Sequence, residues 1–506
     1  MLKFRIREIS MEPKDIVIIS RLNNENVVPQ ARYRLSFGQR ELSVNQVLKV
    51  EDWVKEDEIG LSNSLIKILG AKEGDEVFLQ TQSRSTSTSY SLIKQRILQQ
   101  GRIFNKAEID QIIGDITSGV LSPLESSVFI TSQIFQDWNI SEIEYLTKAI
   151  ACSGQMIDWK DTIIFDKHSL GGVPGNKVSL LIVPIIAAAG LTIPKTSSRA
   201  ITSPSGTADT MEAFGCEIEF SVDEIVEIAN RINGLIAWTG GLNIVPADEK
   251  IIRDVQFPLG VDPEPMMMAS VLSKKVAMGV HFLVLDIPTG GGTKVKNMEA
   301  GKRIAHRFAE LGQQLGIRIE SGITYGSSPV GHAIGPALEA REALAALINP
   351  QIASDSLIGK STSLAGILLE MSGRAIRGRG QDSALEILNS GKAYRKFQEI
   401  LEAQSADSKI QPEDIEIGKC MYEYVAPQSG WIVEINNRII SRAARAAGAP
   451  MDKRAGVYFL KKKDSVKRGE VIFRLYASDE KKLLAAEAEL VKNVPLIIEG
   501  MLLARE

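Results

Sequence analysis

Cysteine is scarce: the chain has three in 506 residues (Cys152, Cys216, Cys420), scattered without metal spacing. That excludes a disulfide framework and a cysteine-built metal site, and predicts buried free thiols in a cytoplasmic protein. Histidine is rarer than in most chains of this size, with four. His281, His306 and His332 have no partner ligands at metal spacing, so no metal is expected; His281 and His306 read as structural. Net charge is small, −3, which leaves no global field to recruit nucleic acid or an acidic membrane. Long apolar runs are lacking too. The longest, Leu180–Gly190 (LLIVPIIAAAG), falls short of the roughly 20 residues a bilayer span needs. The opening MLKFRIREISMEPKDIV is too polar for a signal peptide.

What is present is ordinary globular composition, 44% hydrophobic and 24% charged, in a chain too long for one core. The expected fold class is multidomain α/β. Residues 1–84 form a small β-rich domain, since DIVIISRL and DEVFLQ sit between turn signals. The Ser/Thr tract Gln82–Ser91 reads as a linker. Residues 90–158 form a helical domain, with about 250–280 returning to it. Capping boxes are expected at Ser122 with Glu125 and at Ser141 with Glu144. Residues 159–249 and 281–410 alternate strand-like and helix-like stretches (DTIIFD, GLIAWTGG, HFLVLDIPTGGG), which predicts a mostly parallel α/β domain. In Asn297–Gly316, Ile304, Phe308, Leu311 and Leu315 fall on one helical face. Residues 415–506 form a C-terminal α+β domain.

Three glycine-rich stretches carry the chemistry. The first, His168–Ser179 (HSLGGVPGNKVS), follows DTIIFD: Gly171, Gly172 and Gly175 permit close backbone approach, Lys167 and Lys177 supply charge, and Ser169 and Ser179 supply hydroxyls. The second, Ser197–Asp209, crowds Ser197, Ser198, Thr202, Ser203, Ser205 and Thr207 around Arg199. The third, Pro288–Lys294 (PTGGGTK), follows HFLVLD. In α/β sheets such loops lie at the carboxyl ends of strands, where ligands bind. Each alone marks only a turn; three in one α/β segment point to an anion site. Two motifs are decoys. Ile358–Thr362 (IGKST) lacks the first P-loop glycine and a preceding strand. Lys461–Arg468 (KKKDSVKR) reads as a solvated turn.

KHSLGG, SSRAITSPSGTADTME (Ser197–Glu212) and ASVLSKK together resemble the thymidine phosphorylase family of pyrimidine nucleoside phosphorylases, over roughly residues 90–506. The extra N-terminal domain and the forms GGVPGNK and SRAITS resemble the long branch, which contains AMP phosphorylases and proteins described as putative thymidine phosphorylases. The resemblance implies phosphorolysis: phosphate attacks the anomeric carbon, the base leaves, and a sugar 1-phosphate forms. It implies no cofactor; inorganic phosphate is a co-substrate. By position it assigns Lys167, Ser169, Ser179, Ser197 and Thr207 to phosphate and His168 to the base side. Arg253, Ser270 and Lys274 match base contacts. Gly172, Ser198, Arg199, Ala200, Ile201, Thr202, Ser203, Thr207, Ser270 and Lys294 match nucleotide-binding positions. Asp262 matches a proton donor to the base, for which burial would supply the raised proton affinity.

Ala200 and Ser205 stand where the family has glycines, and the spacing from Arg253 to Ser270 is longer than in short thymidine phosphorylases. AMP is the favoured substrate, because Arg199 and the extra hydroxyls suit a 5′-phosphate; thymidine is the alternative. An anthranilate phosphoribosyltransferase would need acidic metal ligands near its glycine loops, and no acidic pair stands there. A non-catalytic nucleotide-binding module would bind AMP without turnover. The resemblance further implies a homodimer or larger homo-oligomer, no nucleic acid or membrane partner, and closure of a helical domain carrying Ser270 over the phosphate loops.

Overall fold

The structure is a computed structural model that describes residues 2–9, 16–20, 33–38, 40–44, 46–81, 87–99, 101–200, 203–238, 240, 242 and 244–500. Its contacts divide the chain into two compact units, Met1–Ala149 with Pro246–Met267, and Ile150–Val245 with Met268–Glu506.

The first unit begins with seven strands: β1 (Leu2–Ile9), β2 (Ile16–Ser20), β3 (Tyr33–Phe37), β4 (Arg40–Val44), β5 (Gln46–Val50), β6 (Glu58–Ser62) and β7 (Glu76–Thr81). They form one mixed sheet in the order β4-β3-β7-β1-β6-β2-β5. Period-two alternation decides its faces: Phe4 and Ile6 of β1 are buried while Lys3, Arg5 and Arg7 are exposed. The predicted linker is partly helix. Residues 82–86 lie outside the described residues, but Ser87 accepts a hydrogen bond from the Tyr90 N–H and caps helix Thr88–Leu98. A serine-rich tract supplies N-caps as readily as it supplies linkers.

Helices Lys106–Ser118, Pro123–Ser132 and Ile140–Ala151 follow. The Ser122–Glu125 capping box forms as expected. The Ser141–Glu144 box does not. The helix starts earlier, and Asn139 and Glu142 make the reciprocal pair, with Glu142 N–H on Asn139 Oδ1 at 2.9 Å and Asn139 N–H on Glu142 Oε2 at 3.2 Å. Glu142 is fully buried, where it also receives Arg96 and the Phe104 N–H, so three donors fix the start two residues upstream of Ser141. The segment Pro246–Met267 adds helix Pro246–Ile251 and a π-helical turn, Ile252–Gln256. Helix Glu264–Ala277 crosses the division, so Ser270 and Lys274 belong to the second unit.

In the second unit, β8 (Phe165–Ser169), β9 (Ile193–Ser197), β10 (Gly234–Trp238), β11 (Phe282–Thr289) and β12 (Arg318–Tyr325) are all parallel. They form a β12-β11-β8 sheet and a β10-β9 pair, linked by a single bridge between Ile164 and Thr192. The apolar run after the first loop is helix Ser179–Ala188, with every side chain from Ser179 to Ala187 buried in the core. Surrounded by protein, it needs no polar face. Helix Met298–Leu315 buries Ile304, Phe308 and Leu311; Leu315, expected with them, is only half-buried at the helix end. A separate core around Phe459, Phe473 and Ile440 holds the C-terminal strands and helices Asn437–Ala446 and Glu480–Lys492. Among the described residues no helix is long and apolar enough to cross a membrane. Of the thiols expected to be buried, Cys216 is, whereas Cys420 is half-buried and Cys152 exposed, because Cys152 follows the last helical turn of Ile140–Ala151.

Candidate active site

Parallel register brings the first two loops to one edge. The Ile164–Thr192 bridge starts β8 and β9 level, and five residues later they end at Ser169 and Ser197. On the other side of β8, Ser169 is in register with Asp286 of β11, three residues before that strand ends at Thr289. Lys167, His168 and Ser169, taken from sequence as loop, are the last residues of β8. Three strand ends therefore deliver their loops side by side at the carboxyl edge, where α/β sheets bind ligands.

The loops also touch. Gly172 has φ +87°, and a Cβ placed on it would lie 3.1 Å from the Lys294 nitrogen and 3.2 Å from Thr293 Cα. Only glycine fits this conformation at this approach. Gly206 has the same function in the second loop: a Cβ there would meet Ser198 O at 2.8 Å and Ala200 N at 2.9 Å. Asp209 completes that turn by accepting both the Ala200 N–H (2.7 Å) and the Gly206 N–H (3.0 Å) on Oδ2. The N-terminus of helix Thr207–Ala213 begins there, and Thr207 is its first residue. Ile201 and Thr202 lie outside the described residues.

Beneath the loops lies a buried ionic layer. Asp166 is fully buried; its Oδ2 holds Lys275, its Oδ1 accepts the Lys167 N–H at 2.7 Å, and Lys195 stands 3.9 Å from Oδ1. Asp286, also fully buried, accepts Thr324 Oγ1–H (2.6 Å) and Ser169 Oγ–H (2.7 Å) and pairs with Lys360 (3.0 Å). Burial alone would raise the Asp286 carboxyl, but Lys360, Lys167 and the two hydroxyls hold it below its ordinary range. Burial pushes Lys167 down to about 8 against the opposing pull of Asp286. It pushes Lys195 down to about 7 against Asp166. His168 is held well below its ordinary value, by burial first and then by Lys275, Lys195, Lys274 and Lys167, so its imidazole is neutral. Lys274 itself donates to Ser270 O (3.0 Å) and Ser270 Oγ (3.2 Å) across one helical turn.

Several predicted groups sit otherwise than the sequence suggested. Lys177 turns inward, fully buried, onto Glu342 (2.8 Å) and the carbonyls of Gly175 and Val330 (2.9 Å each), so its charge is used in the core. Arg199 pairs with Glu212 (2.7 Å) and lies over the Trp238 ring at 4.5 Å, so its charge is engaged by protein. Arg253 pairs with its neighbour Asp254 at 2.6 Å, with a side chain 70% exposed. Asp262, expected to be buried, is exposed at the surface and accepts Gln256 Nε2–H at 3.3 Å; it and Arg253 belong to the first unit. Lys294 is exposed, and Ser179, at the first turn of its helix, is buried. Lys462, in the turn expected to be solvated, is instead drawn onto the Pro329 and Gly331 carbonyls, and burial lowers it to about 8. The rejected IGKST stretch is the interior of helix Asp355–Met371. It supplies Lys360 from behind the sheet.

Sequence inspection missed Asp166, Asp286, Lys195, Lys275 and Lys360. Each acid sits in a strand just before a glycine-rich loop, where the loop residues draw attention away from it. Their one available signal was charge at strand positions expected to be buried.

Residues 161–394 match the family described as glycosyl transferase family, a/b domain, and residues 431–496 match the pyrimidine nucleoside phosphorylase C-terminal domain. Among solved structures the chain is similar to anthranilate phosphoribosyltransferase from Thermus thermophilus, with a TM-score of 0.53 at 19% identity over 62% of this chain and 99% of that one. This is a likeness of fold. Sequence relatives are nearer. The AMP phosphorylase of Methanococcus maripaludis strain C6 is 44% identical over 91% of this chain and 90% of its own length. That of Thermococcus kodakarensis is 45% identical over 89% of each. That of Methanocaldococcus jannaschii is 41% identical over 100% of this chain and 99% of its own, so the likeness takes in the seven-stranded N-terminal sheet as well as the phosphate loops. With strands, loops and flanking domains all matched in one continuous likeness, the chain belongs to the AMP phosphorylase family.

Proposed function

We propose that the protein cleaves AMP with inorganic phosphate, giving adenine and ribose 1,5-bisphosphate. The observation that carries the substrate is the near full-length likeness to relatives named AMP phosphorylase. None of these relatives is named for thymidine.

In this reading the carboxyl edge of β8 and β9 holds phosphate through Lys167, Ser169, Ser179, Ser197 and Thr207. Holding it there turns a two-body encounter into a local one. Its negative charge then faces the oxocarbenium-like sugar of the transition state. Gly172, Ser198–Ser203, Thr207, Ser270 and Lys294 are assigned to the nucleotide, and within that stretch the Arg199 charge is shared with Glu212. Arg253 and Lys274 are assigned to the base. His168 acts as a neutral hydrogen-bonding group, since burial and four lysines hold it unprotonated. The proton for the departing base is assigned to Asp262, whose role requires the substrate to cover a carboxylate that otherwise meets solvent. No cofactor enters; phosphate is the co-substrate. A homodimer or larger assembly in the cytoplasm completes the proposal, and light scattering in solution tests its first half.

The decisive assay follows adenine release from AMP and thymine release from thymidine, each with and without phosphate. Phosphate-dependent turnover of AMP at roughly 100-fold or more the efficiency of thymidine is expected. Equal rates on both, or AMP binding without turnover, would overturn the proposal.

A further inference from the structure

We propose that Lys453, carried by the C-terminal domain, is a positioning residue for AMP: by bridging Asp209 and Glu212 it holds the second loop in the form that receives the nucleotide. The inference rests on the nucleotide site proposed above and adds to it a residue that acts on the substrate through other side chains.

Asp209 is where the turn of that loop is held. It is 3% exposed, and its Oδ2 accepts the Ala200 and Gly206 N–H groups. Its Oδ1 is left for another donor, and Lys453 Nζ meets it at 2.8 Å. The same Nζ lies 2.6 Å from Glu212, whose carboxylate also takes Arg199 at 2.7 Å. Asp209, Lys453, Glu212 and Arg199 thus alternate in sign along one chain of contacts. A carboxylate this buried is stable as an anion only while it is paired. Without Lys453, Asp209 would take up a proton or turn to solvent, and either change weakens its hold on Ala200 and Gly206. Ser198, Arg199 and Ala200 lie on one side of that turn and Thr207 on the other, so a single displacement moves nucleotide positions on both sides.

Lys453 is itself held firmly. It stands between Ala449 and Ala455, both buried in the C-terminal core. Its neighbour Asp452 is tied at 3.1 Å to Lys482 of helix Glu480–Lys492, and the Lys453 carbonyl accepts the Ala337 N–H at 2.9 Å. The same domain reaches the supports of the other two loops. Lys462 is drawn onto the Pro329 and Gly331 carbonyls, and the intervening Val330 N–H is bonded to Pro174 O of the first loop at 3.1 Å. Asn437 Nδ2–H donates to Gly326 O at 2.8 Å, and the Gly326 N–H donates to Thr289 O of the third loop at 2.8 Å. Those contacts end on main chain that no side-chain charge controls. Lys453 ends on two carboxylates, one of which sets the turn, so removing its charge releases the second loop and leaves the other two supported.

Steady-state kinetics of three variants test this. In Lys453→Met, which keeps the length and removes the charge, the AMP KM should rise about tenfold or more and the phosphate KM about threefold or less, because Lys167, Ser169 and Ser179 lie on β8 and the first loop. Lys453→Arg, which keeps the charge, should bring the AMP KM back to within about threefold of wild type. An unmoved AMP KM in Lys453→Met, a parallel rise in both KM values with a fall in Tm, or an Arg variant as poor as the Met variant would overturn the proposal. Should Lys453→Met strand Asp209 and fail to fold, combining it with Asp209→Asn removes both charges. The AMP KM of that double variant should exceed that of Asp209→Asn alone about threefold or more, since Glu212 is released as well. Equal values would overturn the proposal. Phosphate-dependent adenine release by the wild type, measured alongside, separates the two levels. Its absence removes the proposed reaction; its presence with a normal AMP KM in Lys453→Met removes only the role of Lys453.

Discussion

Lys167 and Lys177 stand ten residues apart on either side of one glycine-rich loop, and their surroundings are opposite. Both are buried. Lys177 is fully compensated: Glu342 pairs with it, two carbonyls accept its remaining protons, and Glu342 is in turn fixed by the His332 and Ala333 N–H groups at 2.7 and 2.8 Å. Lys167 joins a layer with more cations than anions and is pushed down to about 8. The first arrangement closes on itself and can only hold the fold. The second lacks an anion and can bind one. A lysine in a glycine loop is therefore classed by its carboxylate partners, and sequence does not show those.

The largest effects should come from breaking each side of that comparison. Lys177→Met strands the buried Glu342 carboxylate and should cost about 3–5 kcal/mol of stability, measured by urea unfolding. A variant as stable as wild type would mean that the pair contributes nothing. Lys167→Met removes a cation from the deficient side. It should lower kcat/KM for phosphate by roughly 100- to 1,000-fold, about 3–4 kcal/mol, with Tm nearly unchanged. A large Tm loss with normal phosphate kinetics would reverse the assignment.

A third test sharpens the closed side through pH. Glu339 is fully buried near Lys177, and burial raises it from 4.5 to about 7. A carboxyl raised on folding gives stability that is complete below about pH 4.5 and is lost as pH rises from there through about 7, worth up to about 3 kcal/mol. Glu339→Gln should abolish that slope, so the variant should gain on the wild type between about pH 4.5 and 8. Parallel stability curves would show that Glu339 is ionised throughout. The smallest effect belongs to the loop contact itself. Gly172→Ala, forced into φ +87° against Lys294, should cost about 1–2 kcal/mol and raise the AMP KM about tenfold. Normal AMP kinetics would detach Lys294 from the nucleotide.

Much of this was legible from the chain. The glycines of the first loop, the motif at Ser197–Glu212 and the alternation of strands and helices pointed to the strand ends, where the structure brings these loops side by side. Phosphate chemistry needs backbone approach and hydroxyls, and those leave a compositional trace. Partnership leaves none. Arg199 and Lys177 looked like free charge and are neutralised by Glu212 and Glu342, which stand 13 and 165 residues away. Ser141 and Glu144 had the capping-box spacing, yet Asn139 won because Glu142 could also bury itself against Arg96 and the Phe104 N–H.

By itself the sequence determined the periodicities, the glycines that permit positive φ, and the family, since these depend on residue type and spacing. Only the tertiary structure decided which buried charges are balanced. Electrostatic energy depends on distances of a few ångströms between strands and helices far apart in the chain, such as Asp166 with Lys275 or Asp286 with Lys360.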